Sequence, residues 1–166
     1  ISVELSVFMI LFFRYLFCVP LLLITSFYQR KSKAFNIVSK FTLVIRILTG
    51  LGSFGCLFAA LQFIDLSLMT TLLQTMPLFV TLLAPIVIKE VVGWYRKITA
   101  LVGFIGVLLI LKPFSEEWKN FGVMLGVLSP FFGALMTIYV RKLSLTDHPT
   151  TTALWYNIIG TIVFLF

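Results

Sequence analysis

The sequence predicts an all-α protein that forms a polytopic transmembrane helix bundle, and three observations support this fold class. Of the 166 residues, 60% are hydrophobic and only 11% are charged, whereas soluble domains are about 45–50% apolar and about 25% charged. The apolar residues occur in runs close to the roughly 20 residues that a helix needs to cross a bilayer. The mean hydropathy is +1.10. Together these features exclude a water-soluble domain, a disordered chain and a nucleic-acid-binding protein.

Six apolar stretches are candidate spans. All should be helical, because lipid leaves a backbone polar group no partner outside its own chain. The fourth is short, and Lys97 and Lys112 can snorkel to the two interfaces. The sequence begins without Met and the sixth span runs into its end, so we expect a piece of a longer protein. The predicted spans are 3–27, 41–64, 66–88, 98–111, 121–140 and 149–166.

The basic residues predict an orientation. Nine Lys and Arg residues lie in the connections 28–40, 89–97 and 141–148, whereas the other side has only Lys112 and Lys119. Basic connections stay on the cytoplasmic side of a membrane. These three connections are therefore predicted to be cytoplasmic.

Arg14 lies near the middle of the first span. A central arginine costs at least about 2.5–3.5 kcal/mol on insertion scales, so it should face the bundle interior or a wet cavity. One interpretation is a counter-charge for an anionic or zwitterionic substrate. The other is a packing role, with the guanidinium bound to backbone carbonyls or a polar partner.

The third span has the most polar core. Thr71, Gln74 and Thr75 precede Pro77, which lacks the amide that would continue the helix. Kinked polar segments at mid-depth are where transporters place substrates, but a kink that only shapes packing is the alternative. Gln74 is the strongest candidate here, since an amide within the membrane needs a partner.

Two charged residues lie near the predicted cytoplasmic ends of their spans. Arg46 either snorkels to the interface or lines an inner gate. Glu90 is expected to pair with a neighbouring basic residue, so the two residues are candidates for a gate or a cytoplasmic ion pair. Of the sixth span's aromatic run, Trp155 is expected at the interface and Asn157 in a cavity.

No catalytic, metal-binding or cofactor-binding motif is found. Cys18 and Cys56 lie within apolar runs and are expected to pack there. His148 is the only histidine, so a metal site is not predicted. No cofactor is expected.

A weak internal echo relates the first and last spans. Phe12-Phe13-Arg14 matches Trp155-Tyr156-Asn157 at an offset of 143 residues, from 12 to 155. An odd number of spans in each repeat would place the second copy upside down in the membrane, and inverted repeats are typical of transporters.

The order of these features resembles the EamA-domain proteins of the drug/metabolite transporter superfamily. The resemblance rests on G-L-G-S-F-G-C-L-F-A-A-L-Q-F-I-D, on a proline-containing span ending in I-K-E, and on W-Y-R-K followed by G-F-I-G-V-L-L-I-L-K-P. Arg14, in F-F-R-Y-L-F, looks like the arginine of the family's second helix. The segment G-V-M-L-G-V-L-S-P-F-F-G-A-L-M-T-I-Y-V-R-K resembles the start of the second repeat.

The resemblance implies ten helices in two inverted repeats. Residues 1–114 would hold the second to fifth helices of the first repeat, and 115–166 the start of the second. It also implies a secondary transporter of amino-acid, nucleotide-like or S-adenosylmethionine-like metabolites in a bacterial inner membrane. The expected mechanism is alternating access around a cavity lined partly by Arg14 and Gln74, with Phe12, Phe13 or Tyr139 against the apolar part of the substrate.

The expected partners are the lipid bilayer and a small-molecule metabolite, without nucleic acid, and a homodimer is compatible with this interpretation. Two other classes stay open. An integral-membrane lipid-modifying enzyme would have to use the Asp147–His148 pair, and a non-transporting membrane scaffold would need no wet cavity.

Overall fold

The structure, a computed structural model, describes residues 7–30, 35–89, 91, 93–111 and 121–163. Within these residues the regular secondary structure is entirely helical. The helices in chain order are α1 (Val7–Arg30), α2 (Lys40–Ala60), α3 (Leu66–Leu73), α4 (Met76–Val87), α5 (Trp94–Leu111), α6 (Phe121–Leu143) and α7 (Pro149–Val163). The predicted all-α class is confirmed.

Several of these helices can cross a membrane. Among the described residues, four stretches are long and apolar enough to do so: Leu11–Tyr28, Lys40–Ala60, Leu66–Val87 and Phe121–Leu143. The helices α5 and α7 have 18 and 15 residues and correspond to the fourth and sixth predicted spans. Helix α5 begins at Trp94, four residues before the predicted start, because a helix can continue through basic residues whose stems reach the interface.

The helices form two compact units. The first unit consists of Ile1–Ile47 with Tyr139–Phe166, and the second of Leu48–Ile138, so the boundary between them falls within α2 and α6. In the first unit α1 packs against α7, and in the second α4 packs against α5. The close approach of α1 and α7 depends on Gly160, where an added Cβ would lie 2.9 Å from ring carbons of Tyr15.

In the second unit, α2 and α6 are joined by a reciprocal pair of hydrogen bonds. The Ser53 hydroxyl donates to the carbonyl of Ser129 at 2.9 Å, and the Ser129 hydroxyl donates to the carbonyl of Ser53 at 3.0 Å. Gly133 makes room for this contact, since a Cβ there would lie 3.1 Å from the Ser53 hydroxyl oxygen. Small residues allow such close helix crossings in membranes.

The third predicted span is interrupted. Helix α3 ends at Leu73 and α4 begins at Met76, with Pro77 in the first turn of α4. At the break, the Leu72 carbonyl accepts hydrogen bonds from the Thr75 amide at 3.0 Å and the Thr75 hydroxyl at 2.6 Å. Proline needs no amide partner in a first helical turn. The kink predicted at Pro77 is therefore a break between two short helices.

Candidate functional site

The main candidate site lies in the first unit and contains Arg14, Tyr15, Arg46 and Tyr156, which we call the arginine–tyrosine cluster. The hydroxyl oxygens of Tyr15 and Tyr156 are 2.9 Å apart. Their ring centroids are 5.5 Å apart and the rings meet edge to face. Tyr15 is 1% exposed and Tyr156 is 5% exposed. Each buried hydroxyl thus has the hydrogen-bond partner that an interior tyrosine requires.

Arg46 links α2 to α7 within this cluster. Its side chain is 7% exposed. Its Nη1 donates to the carbonyl of Thr152 at 2.7 Å, and its Cζ lies 5.1 Å from the centroid of the Tyr156 ring. The predicted alternative of snorkelling to the interface is therefore not what the structure shows. A carbonyl and an aromatic face on α7 supply this buried guanidinium with one acceptor, for Nη1, and with a π surface.

Arg14 lies on the exposed side of the cluster. Its Cζ is 5.5 Å from the centroid of the Tyr15 ring, and its side chain is exposed on α1. The seven-residue step from Val7 places it about 10 Å along the helix axis. Arg14 is thus a cation within an apolar helix. Its side chain lies on the surface of the part of the unit that the structure describes.

Among the described residues of the first unit, Asp147 is the one acidic residue. It is buried in the connection between α6 and α7. Its Oδ1 accepts from the Val38 amide at 2.7 Å, and its Oδ2 accepts from the Ser39 amide at 3.1 Å and the Thr146 hydroxyl at 2.9 Å. Asp147 therefore caps the start of α2 from a distant part of the chain.

His148 does not share this buried position. It is exposed, and its Nδ1 lies 2.7 Å from the Thr150 hydroxyl oxygen. Both oxygens of Asp147 accept from backbone amides before α2, whereas the one side-chain contact that the structure gives His148 is within its own connection.

The other predicted site residues of this unit are partly buried. Tyr139 is half-buried on α6. Asn157 is half-buried, and its Nδ2 donates to the Ala153 carbonyl at 2.9 Å, one turn back in α7. The side-chain amide of Asn157 thus has a partner within its own helix.

The remaining predicted residues lie in the second unit, around the break between α3 and α4. Thr71 donates to the carbonyl of Ser67 at 3.0 Å, and the buried Thr75 donates to Leu72 as described above. Gln74 and Pro77 are exposed. The hydroxyls of Thr71 and Thr75 are therefore bonded to nearby backbone carbonyls. The polar side chain that is exposed at the break is that of Gln74. Glu90 lies outside the described residues.

The sequence patterns did not single out Tyr15 or assign Tyr156 a partner. The signal was present, because a tyrosine beside an arginine in an apolar span carries a hydroxyl that must find a partner. The sequence could not show that this partner is 141 positions away. Among the described residues, no group of three or more His, Cys, Asp or Glu side chains is placed to hold a metal ion.

These helices and their buried polar contacts define an integral membrane protein with polar side chains gathered between apolar spans. The model of the EamA-like transporter family matches residues 1–112. The chain belongs to this family.

Several named relatives are transporters. The chain is 38% identical over 84 residues to the riboflavin transporter of Vibrio cholerae, covering 51% of this chain and 28% of that protein. It is 28% identical to the S-adenosylmethionine uptake transporter of Rickettsia felis, over 98% of this chain and 54% of that protein. It is also 28% identical to the pseudopaline exporter of Pseudomonas aeruginosa, over 73% of this chain and 43% of that protein.

The chain therefore spans between 28% and 54% of the length of these curated relatives. No solved structure matches it.

Proposed function

We propose that this chain is part of a secondary transporter that carries small polar metabolites across a bacterial plasma membrane by alternating access. Family membership supports this proposal, as do relatives named for riboflavin, S-adenosylmethionine and pseudopaline. The complete protein would have ten helices in two inverted repeats, with residues 1–114 in the first and 115–166 opening the second. It would not act as an enzyme.

The observation that carries the proposal is Arg14, an exposed guanidinium in an apolar helix. Its placement is costly in lipid unless the group meets water, a ligand or another polar group of the protein, and its exposed position leaves it open to a ligand. A planar guanidinium binds carboxylate or phosphate through two parallel hydrogen bonds. We therefore assign Arg14 to the recognition of an anionic group of an amino-acid, nucleotide-like or S-adenosylmethionine-like substrate.

The neighbouring tyrosines support this role by holding α1 in place. Tyr15 is buried against α7 through its hydroxyl bond to Tyr156. The rotation of α1 about its axis is thereby fixed, so Arg14, the preceding residue, keeps its exposed position. Arg46 anchors the other side of Tyr156 and is a positioning residue in this proposal.

The break between α3 and α4 is the second substrate-contacting region that we propose. Gln74 is exposed at the break and carries both a hydrogen-bond donor and an acceptor. Helix ends at mid-depth supply backbone groups to polar ligands in many transporters. Gln74 is therefore proposed to contact a polar, uncharged group of a ligand at this break in the second unit.

Uptake by the full-length protein in proteoliposomes tests the role of Arg14. Radiolabelled S-adenosylmethionine and riboflavin are the first probes, followed by a panel of amino acids and nucleotides. Arg14→Gln should lower uptake about 10-fold or more, the value of a hydrogen bond to a charged group. Arg14→Lys should retain part of the activity, since it keeps the charge and loses the planar fork.

The matched control is Arg96→Gln, which removes an exposed arginine at the start of α5. This variant should transport like the parent protein. If folded Arg14→Gln protein transports at the parent rate, the assignment of Arg14 is wrong although the transporter class stands. If the parent protein transports no metabolite of the panel, the transporter proposal itself is contradicted.

A further inference from the structure

A cavity of about 450 Å³ lies in the first unit, apart from the arginine–tyrosine cluster. It is formed by the segment before α2, the first turns of α2 and the middle of α7. The residues that matter for its chemistry are Asn36, Lys40, Leu43, Val44, Trp155 and Ile159. None of them belongs to the cluster.

The wall formed by residues 35–39 is held at both ends. The indole Nε1 of Trp155 donates to the Phe35 carbonyl at 3.2 Å. At the other end Asp147 accepts from the amides of Val38 and Ser39. The Phe35 ring also packs edge to face on Trp155, with centroids 6.3 Å apart. The cavity is therefore preformed and does not depend on a loose loop.

The polarity of the lining changes along the helix axes. Asn36 precedes α2 and Lys40 is its first residue, and Leu43 and Val44 follow about 5–6 Å further along the helix. On α7, Ile159 continues the apolar wall one turn beyond Trp155. Apolar side chains of α2 next to the cavity lining are exposed: Phe41 is 78% exposed and Leu48 is 64% exposed. The cavity thus has a polar end at the start of a membrane span and an apolar end directed along it.

We propose that this cavity binds one anionic phospholipid. The Lys40 ammonium and the Asn36 amide hold the phosphate, and the upper part of an acyl chain lies along Leu43, Val44 and Ile159. Charge complementarity selects the occupant, because Lys40 is the one charged side chain among the lining residues that the structure describes. A zwitterionic lipid would bring its own cation towards Lys40, whereas an anionic head group would not.

Native mass spectrometry of the full-length protein in detergent tests this site. The protein is incubated with equal amounts of palmitoyl-oleoyl phosphatidylglycerol and palmitoyl-oleoyl phosphatidylcholine, and the retained lipids are counted. The parent protein should retain one phosphatidylglycerol in preference to phosphatidylcholine. Lys40→Gln should lower that retention about five-fold, the contribution of one basic residue near an anionic lipid surface.

Two controls separate this site from general charge attraction. Lys142→Gln removes an exposed lysine at the end of α6 and should leave retention unchanged. Val44→Trp fills the apolar end without changing charge and should abolish selective retention. Leu48→Trp, one turn further along α2 and not part of the lining, should not.

The proposal is overturned if Lys40→Gln and Lys142→Gln weaken retention equally, or if the two lipids are retained equally by the parent protein. It is also overturned if Val44→Trp still retains phosphatidylglycerol. If Val44→Trp lowers the melting temperature by the same amount with and without phosphatidylglycerol, this lipid does not stabilise the parent protein through the cavity, and the proposal is contradicted.

Discussion

The hydroxyl groups of Tyr15 and Tyr156 meet at 2.9 Å in the buried contact between α1 and α7. The offset of 143 residues that relates Phe12 to Trp155 makes Ile158 the counterpart of Tyr15. Tyr15 contacts Tyr156 and Gly160, which lie two residues on either side of Ile158. In a two-fold contact a residue near the axis lies opposite its own counterpart. Residues two positions apart lie about 200° apart around a helix, so Ile158 lies on the opposite face of α7 and this contact does not pair equivalent positions. The inverted repeats stay a prediction.

The hydroxyl pair should couple the two tyrosines energetically. Tyr15→Phe and Tyr156→Phe should each destabilise the full-length protein, since each leaves the other hydroxyl buried without this partner. The double variant should be less destabilised than the sum of the singles, by about 0.6 kcal/mol, the average for hydrogen bonds within membrane proteins. A double-mutant cycle of unfolding free energies in detergent measures this value. Strict additivity would show that the hydroxyls do not interact.

The contact also depends on the absence of a side chain at position 160. Gly160→Ala should destabilise the protein by about 1–3 kcal/mol, because the new Cβ would meet the rigid ring of Tyr15 at 2.9 Å. Gly55→Ala is the matched control, since a Cβ there meets nothing within 4 Å. Its stability should be unchanged or slightly higher, as alanine favours helix. Equal melting temperatures for the two variants would contradict the close packing of α1 and α7.

Asp147 should stabilise the start of α2 from the other side of the sequence. Asp147→Ala should cost about 0.5–2 kcal/mol, the range for loss of a helix cap, and Asp147→Asn should cost less because one acceptor oxygen remains. Hydrogen exchange at the amides of Val38 and Ser39 should accelerate in the alanine variant. These amides are the donors to Asp147.

Asp65 provides the control for this experiment. It occupies the N-cap position of α3 but makes no side-chain cap hydrogen bond. Asp65→Ala should therefore change stability much less than Asp147→Ala. A reversed order of the two effects would refute the capping role of Asp147.

The predicted orientation can be tested with single cysteines in a background where Cys18 and Cys56 are replaced by alanine. A cysteine at Lys142 should react with a membrane-impermeant maleimide only after the cells are permeabilised, because the connection 141–148 is predicted to be cytoplasmic. A cysteine at Gln62, exposed in the turn after α2, should react in intact cells. Labelling of both positions from the same side would overturn the predicted threading.

The sequence predicts the helices well because lipid imposes a single rule on every span. Apolar length fixed the start of α6 at Phe121 and of α7 at Pro149, as the structure has them. It was less informative at the third span. Pro77 indicated a disturbance, but the break depends on Thr75, whose amide and hydroxyl both bind the Leu72 carbonyl. That local competition cannot be read from an apolar pattern.

The sequence predicts the candidate site less completely, because its contacts join distant segments. Arg14 and Arg46 stand out by their charge within apolar spans. That Arg46 binds the Thr152 carbonyl, and not the interface, follows only from the packing of α2 on α7. Asp147 stood out in the sequence only as part of the pair that an enzyme would have to use, whereas its partners are backbone amides 108 and 109 positions earlier. Backbone partners leave no trace in side-chain patterns.

The cap on α2 has a consequence for biosynthesis. Translation delivers the amides of Val38 and Ser39 more than a hundred residues before the carboxylate that binds them. Until residue 147 leaves the ribosome, these two amides lack the partner that they have in the folded protein. The start of α2 therefore gains these hydrogen bonds only after the intervening helices have been made.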